Sequence, residues 1–140
     1  MSLKNVHDEN VLFDLQGSTK PVSTLSENLT FYGPFQTDVN CTFQKIGRII
    51  ILSIMNFSGN SSIAASQFQA TIPDPAYYGI TTSLVYVSSY DSTGTTLGTY
   101  PGYVKVNSSK ILIGTTGDWT INPTSSQGLP YSVCVAYLGS

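Results

Sequence analysis

Arg48-Ile49-Ile50-Ile51-Leu52-Ser53-Ile54-Met55-Asn56-Phe57 is the stretch on which the fold turns. It is β-branched, nearly continuous in apolar residues, and free of Gly and Pro, which predicts a strand buried on both faces. Just before it, Val39-Asn40-Cys41-Thr42-Phe43-Gln44-Lys45-Ile46 alternates with period two, the pattern of a strand with one inner face. Gly47 lies between the two runs and lets the chain turn back into the second.

Reading outward, further short runs follow, each bounded by turn residues. Phe68 to Ile72 is closed by Pro73-Asp74-Pro75, and the two prolines sit naturally at a strand exit. Ser83 to Tyr90 precedes a turn at Asp91-Ser92-Thr93-Gly94. Thr95 to Val106 predicts one or two strands interrupted at Pro101-Gly102, and Asn107-Ser108-Ser109 connects them to Lys110 to Gly114. Gly117 to Ile121 is a short run, and Tyr131 to Leu138 is the last. No window carries a helical stripe; Ser62 to Gln67 has room for a turn or two. About eight strands at this close, regular spacing predict an all-β fold, an antiparallel jelly-roll β-sandwich of about 8–10 strands.

Residues 1–28 differ. They hold Asp8, Glu9 and Asp14, the lone histidine His7, a small apolar cluster at Val11-Leu12-Phe13 and a turn-rich stretch from Gln16 to Pro21. They read as an extended N-terminal arm or stem, with 29–140 as the sandwich domain.

Composition bounds what such a domain does. Hydrophobic residues make up 41% of the 140, enough for one core, whereas charged residues make up only 10%, against about 25% in an average soluble domain. The surface is therefore built from Ser, Thr, Asn, Gln and Gly. This suits an extracellular or virion protein, or one whose surface is buried in an oligomer. The net charge is −2 and the six basic residues are scattered, so no cationic patch for nucleic acid is expected. The apolar run Ile49 to Leu52 is far shorter than the roughly 20 residues of a membrane span. No signal peptide is visible at the polar, acidic N-terminus. Cys41 and Cys134 either bridge distant strands or sit as small buried apolar groups; the second reading is favoured, because nothing else looks like a disulfide scaffold.

The hydrophobic and turn pattern of Phe43-Gln44-Lys45-Ile46-Gly47-Arg48-Ile49-Ile50-Ile51-Leu52, and of the closing Tyr131-Ser132-Val133-Cys134-Val135-Ala136-Tyr137-Leu138, resembles a known family. It looks like the trimeric jelly-roll heads of the complement and tumour-necrosis-factor superfamily, as found at the ends of phage and large-virus fibres. The resemblance covers about residues 29–138. It implies a homotrimer and attachment to a receptor or glycan through loops or side grooves.

Catalytic chemistry finds little support. Ser/Cys–His catalysis needs a histidine beside the nucleophile, and His7 lies in the arm. Asp38, Asp74, Asp91 and Asp118 stand near predicted turns, where aspartate caps its own backbone. No zinc set, phosphate loop or cofactor site is legible, and no enzyme is expected. Five Asn-x-Ser/Thr sequons, at Asn28, Asn40, Asn56, Asn60 and Asn107, are attributed to the Ser/Thr/Asn-rich composition. Aromatics are the better lead, since tyrosine offers rigid apolar area with a polar tip. Among the nine tyrosines and the single tryptophan, Tyr77, Tyr78, Tyr90, Tyr100, Tyr103 and Trp119 are the candidate ligand contacts. Interface packing and plain core are the competing roles for the tyrosines, and packing at a loop base is the competing role for Trp119. The expectation is thus a non-enzymatic structural protein of a virus or phage, on the virion or extracellular. It would associate with itself, expectedly as a homotrimer, and bind a host receptor or glycan, with no nucleic acid and no membrane insertion. A stand-alone carbohydrate-binding module or lectin is the alternative.

Overall fold

The computed structural model describes residues 22–59, 65–90, 96–115 and 127–140. Among them the chain forms ten strands: β1 (Val22–Phe31), β2 (Thr37–Ile46), β3 (Ile49–Ile54), β4 (Phe57–Gly59), β5 (Gln67–Thr71), β6 (Gly79–Tyr90), β7 (Thr96–Ser108), β8 (Lys110–Gly114), β9 (Gln127–Leu129) and β10 (Val133–Leu138). They pair antiparallel into a four-stranded sheet of order β1-β2-β3-β10 and a six-stranded sheet of order β4-β9-β6-β7-β8-β5. The fold is an all-β antiparallel sandwich. Isolated bridges between Tyr32 and Gln69, and between Gly79 and Gly139, stitch the sheets together along two seams.

The β2–β3 hairpin follows from the sequence around Gly47. That glycine has φ +61 at the turn, the left-handed region where a side chain is strained. Cys41, Phe43, Ile50, Leu52 and Ile54 all point inward with no exposure. β3 is not buried on both faces, however: its inner residues alternate with the exposed Ile49 and the half-buried Ile51 and Ser53. Nor does one strand run to Phe57. β3 stops at Ile54 and the chain crosses to the other sheet, where Phe57 opens β4. A period-two strand has two faces, and the core fills only one of them.

Other expectations shift in similar ways. β1 begins at Val22 and pairs with β2 along its whole length, so 22–28, read from the sequence as arm, are sheet. Their polar letters escaped notice because β1 is an edge strand whose first seven residues are nearly all exposed. Residues 1–21 lie outside the described residues. β7 runs unbroken through Pro101-Gly102. Pro101 pairs with Tyr86 of β6 but lies beyond the reach of β8, which pairs only Tyr103 to Asn107. A proline is tolerated in a strand that has a neighbour on one side only. Pro75 starts a single 3-10 turn, Pro75–Tyr77, capped by Asp74, whose carboxylate accepts from Ala76 N at 2.9 Å. The expected runs at 91–94 and 117–121 lie outside the described residues.

Four phenylalanines fill one end of the core. Phe57 stacks on Phe31 at 5.9 Å between centroids and meets Phe68 edge-on at 5.2 Å. Phe35 meets Phe68 edge-on at 4.9 Å. At the other end Phe43 packs on Tyr77 at 5.4 Å, and Tyr137 donates its hydroxyl to Tyr77 O at 2.7 Å. The cysteines are free: Cys41 is buried and Cys134 exposed. They face opposite sides of one sheet, with β3 between their strands, so no bridge can form.

Packing and backbone each lead to a measurable outcome. Burial pushes the Cys41 thiol from its ordinary 9.0 up to about 12, and burial also raises the Tyr137 hydroxyl. The unfolded chain therefore loses these protons at lower pH than the fold does. Denaturant unfolding should give constant stability, as far as these two groups are concerned, up to about pH 9. Stability should then fall by as much as ~1.4 kcal/mol per pH unit from Cys41, with Tyr137 adding to the loss above pH 10; Cys41→Ala should flatten the earlier part of that fall. Ser108, at the β7–β8 turn, has φ +57 without being glycine, a strain of about 1–2 kcal/mol for an L-residue. Ser108→Gly should raise the melting temperature by roughly 2–5 °C in a thermal melt.

Candidate functional site

The seam between β1 and β5 holds an open cleft of about 820 Å³. Two backbone bonds close the seam beneath it: Tyr32 N donates to Gln69 O at 2.9 Å, and Gln69 N donates to Tyr32 O at 2.8 Å. Thr30 and Tyr32 line one wall from β1 and the residue after it. Gln67, Gln69 and Thr71 line the other from β5, and Lys110 comes from β8. The spacing of the three β5 residues follows from strand geometry, since alternate residues share a face. Gly33, Phe35 and Gln36 extend the lining. A Cβ on Gly33 would lie 2.6 Å from Gln67 O, so only glycine lets the two segments approach this closely. Phe35 is anchored from below by Phe57 and Phe68.

Neighbouring contacts hold several of these groups in place. Tyr103 OH donates to Gln67 Oε1 at 3.0 Å, Lys110 Nζ to Thr71 Oγ1 at 2.9 Å, and Thr30 Oγ1 to Asp38 Oδ1 at 2.7 Å. The Lys105 ammonium stands 4.6 Å over the Tyr103 ring, a cation–π contact. Tyr32 is 59% exposed. The lining thus offers three glutamines, two threonines, one cation and an exposed ring, and no carboxylate. Such a set exchanges hydrogen bonds with hydroxyls and stacks on an apolar ring face; it holds no acid–base pair of the kind hydrolysis uses.

The sequence candidates are distributed unevenly around this cleft. Tyr103 touches its lining through Gln67. Tyr77 is buried at 4% exposure, its hydroxyl donating to Ser23 Oγ at 3.0 Å, so it is a core residue with no surface to offer a ligand. Tyr78 is half-buried and packs against the core. Tyr90 and Tyr100 lie in β6 and β7, but their side chains, and Trp119 entirely, lie outside the described residues. Tyr32, Gln67, Gln69 and Lys110 were missed. The signals were present in Phe31-Tyr32-Gly33-Pro34-Phe35 and in the alternation of Gln67, Gln69 and Thr71, but nothing local says that these two stretches meet. Asp74 and Asp38 serve as a cap and a threonine's acceptor; Asp91 and Asp118 lie outside the described residues. Among the described residues no three His, Cys, Asp or Glu side chains come together, and no helix is long and apolar enough to cross a membrane.

No family model matches the chain, and no curated protein is similar to it in sequence. Among solved structures, it is similar to a reovirus attachment protein, sigma1, crystallised in complex with alpha-2,3-sialyllactose. The TM-score is 0.60 and the identity 13%, covering 88% of this chain and 68% of that one. At that identity the likeness is one of fold. It supports the all-β architecture, and it does not single out the complement and tumour-necrosis-factor superfamily.

Proposed function

We propose that this chain is a non-enzymatic attachment domain of a virus, displayed on the virion. It binds a glycan in the β1–β5 cleft and works as a homo-oligomer, expectedly a trimer. The cleft carries the reading: an exposed tyrosine ring, amide and hydroxyl groups at alternate strand positions, and one lysine, without a carboxylate. Sugars present both an apolar C–H face and a ring of hydroxyls, and this lining answers both. Lys110 favours a ligand that brings its own carboxylate, since an anionic sugar finds a cation in the lining, and the Asp38 carboxylate beside Thr30 already accepts a bond. The fold shared with an attachment protein crystallised with a sialylated trisaccharide supports the same reading.

Titrating the protein with alpha-2,3-sialyllactose and with neutral lactose, followed by ligand-observed NMR, tests it. The sialylated sugar should bind more tightly. Tyr32→Ala should weaken binding by about tenfold, roughly 1.4 kcal/mol, and Lys110→Gln should remove the preference for the acidic sugar. If neither sugar binds, and a broad glycan array is also blank, the glycan reading falls. Binding that survives Tyr32→Ala but vanishes in Trp119→Ala would move the site away from this cleft.

A further inference from the structure

The outer face of the four-stranded sheet is unusually free of charge and carries an exposed aliphatic row. Val22, Ile46, Ile49 and Leu138 stand side by side on β1, β2, β3 and β10, because register pairs Val22 with Ile46, Ile46 with Ile49, and Ile49 with Leu138. Their exposures are 55, 39, 51 and 58%. The next row inward continues with Thr24, Gln44, Ile51 and Ala136, and the third with Ser26, Thr42, Ser53 and Cys134. That third row is tied by Ser26–Thr42 and Ser53–Cys134 contacts at 3.1 and 3.3 Å. Of all the outward positions on these strands only Asp38 is charged, and it accepts a bond from Thr30. Arg48 stands in the turn at the rim.

We infer that this face docks a second copy of the same chain. The inference rests on the self-association proposed above and assigns it a surface. Two observations select this occupant. First, where symmetric copies meet at their common axis like residues face one another, and outward strand positions without a lysine or arginine escape the repulsion of like cations. The outer face of the six-stranded sheet also exposes Ile80, Leu84 and Tyr86, but it carries Lys105, paired with Thr82 and Leu112, and Lys110, paired with Asn107 and Thr71. The chain's own residues 1–21 would bring five charges, Lys4, Asp8, Glu9, Asp14 and Lys20, onto a face whose outward strand positions carry only Asp38 to answer them. Second, the area is of the right order. Four strands about 4.8 Å apart and some eight residues long at ~3.3 Å each make a face of roughly 500 Å² in projection. That is of the same order as the ~800 Å² per partner that a standard interface buries.

Cys134 reports directly on this face, since its thiol is exposed in the single chain while Cys41 is buried. The test pairs light scattering behind size exclusion with the rate at which dithionitrobenzoate labels Cys134. The expected result is a mass of several 15.1 kDa chains, with Cys134 labelled at least ~10-fold more slowly than in a dissociated chain. Ile49→Lys and Leu138→Lys should each give single chains with rapid labelling, and Ile80→Lys on the other sheet should stay assembled. Melting curves check that each variant is folded, and protection of Cys134 in the unaltered protein needs no variant. An assembly whose Cys134 labels freely, and which Ile49→Lys leaves intact, would overturn the assignment of this face while leaving self-association standing. A single-chain mass with free labelling would overturn both, and leave the glycan reading to its own titration. A single-chain mass with a protected Cys134 would also overturn the inference, and would mean that the chain's own N-terminal residues occupy the face.

Discussion

The phenylalanine cluster at one end of the sandwich holds the two sheets in their places. Phe31 belongs to β1, Phe57 to β4 and Phe68 to β5, so the stacking of Phe57 on Phe31 joins the two sheets, and its edge contact with Phe68 links the two edge strands of the six-stranded sheet. Phe35, from the segment between β1 and β2, closes over Phe57 and Phe68. Each such pair adds about 0.5–1.5 kcal/mol to the burial of its area. The arrangement also brings the end of β1 against β5 and thereby makes the seam. The cleft is a consequence of the core: Phe35 is at once its lining and the top of the cluster.

The outward faces are shaped by the same scarcity of charge. Each strand sends one face to the core, and a chain with so few charged residues must cover the other with hydroxyls, amides and aliphatic groups. On the β1–β5 seam this yields a cleft of glutamine, threonine and tyrosine beside one lysine. On the outer face of β1, β2, β3 and β10 it yields an aliphatic row bordered by serine and threonine. The two surfaces differ in chemistry and in place, so the proposed attachment and the proposed assembly need not compete for the same side chains.

Strands were most legible in the letters where they have one buried face and clear punctuation. Thr37–Ile46, Gln67–Thr71 and Lys110–Gly114 lie within a residue or two of the expected runs, because alternation and turn residues are local signals. Val22–Phe31 was not legible, since its solvent-facing first half shows no apolar alternation. Nor was Gln127–Leu129, a strand of three residues, too short to have a period. The run from Ile49 to Leu52 reads as buried on both sides. Its outward residues Ile49 and Ile51 are as apolar as its inward ones, and composition cannot tell an inner face from an apolar outer one.

The class was therefore settled by local pattern: an all-β sandwich with a sparsely charged surface, because period-two alternation and composition act residue by residue. The site was decided by tertiary structure. Tyr32 and Gln69 are far apart along the chain and meet only through the bridge that joins the sheets. Tyr77 and Tyr103 look alike in the sequence, yet one is sealed against Phe43 and the other reaches Gln67. A tyrosine's role depends on which side of a strand it occupies and on what the opposite sheet brings to meet it, and those are properties of long-range pairing.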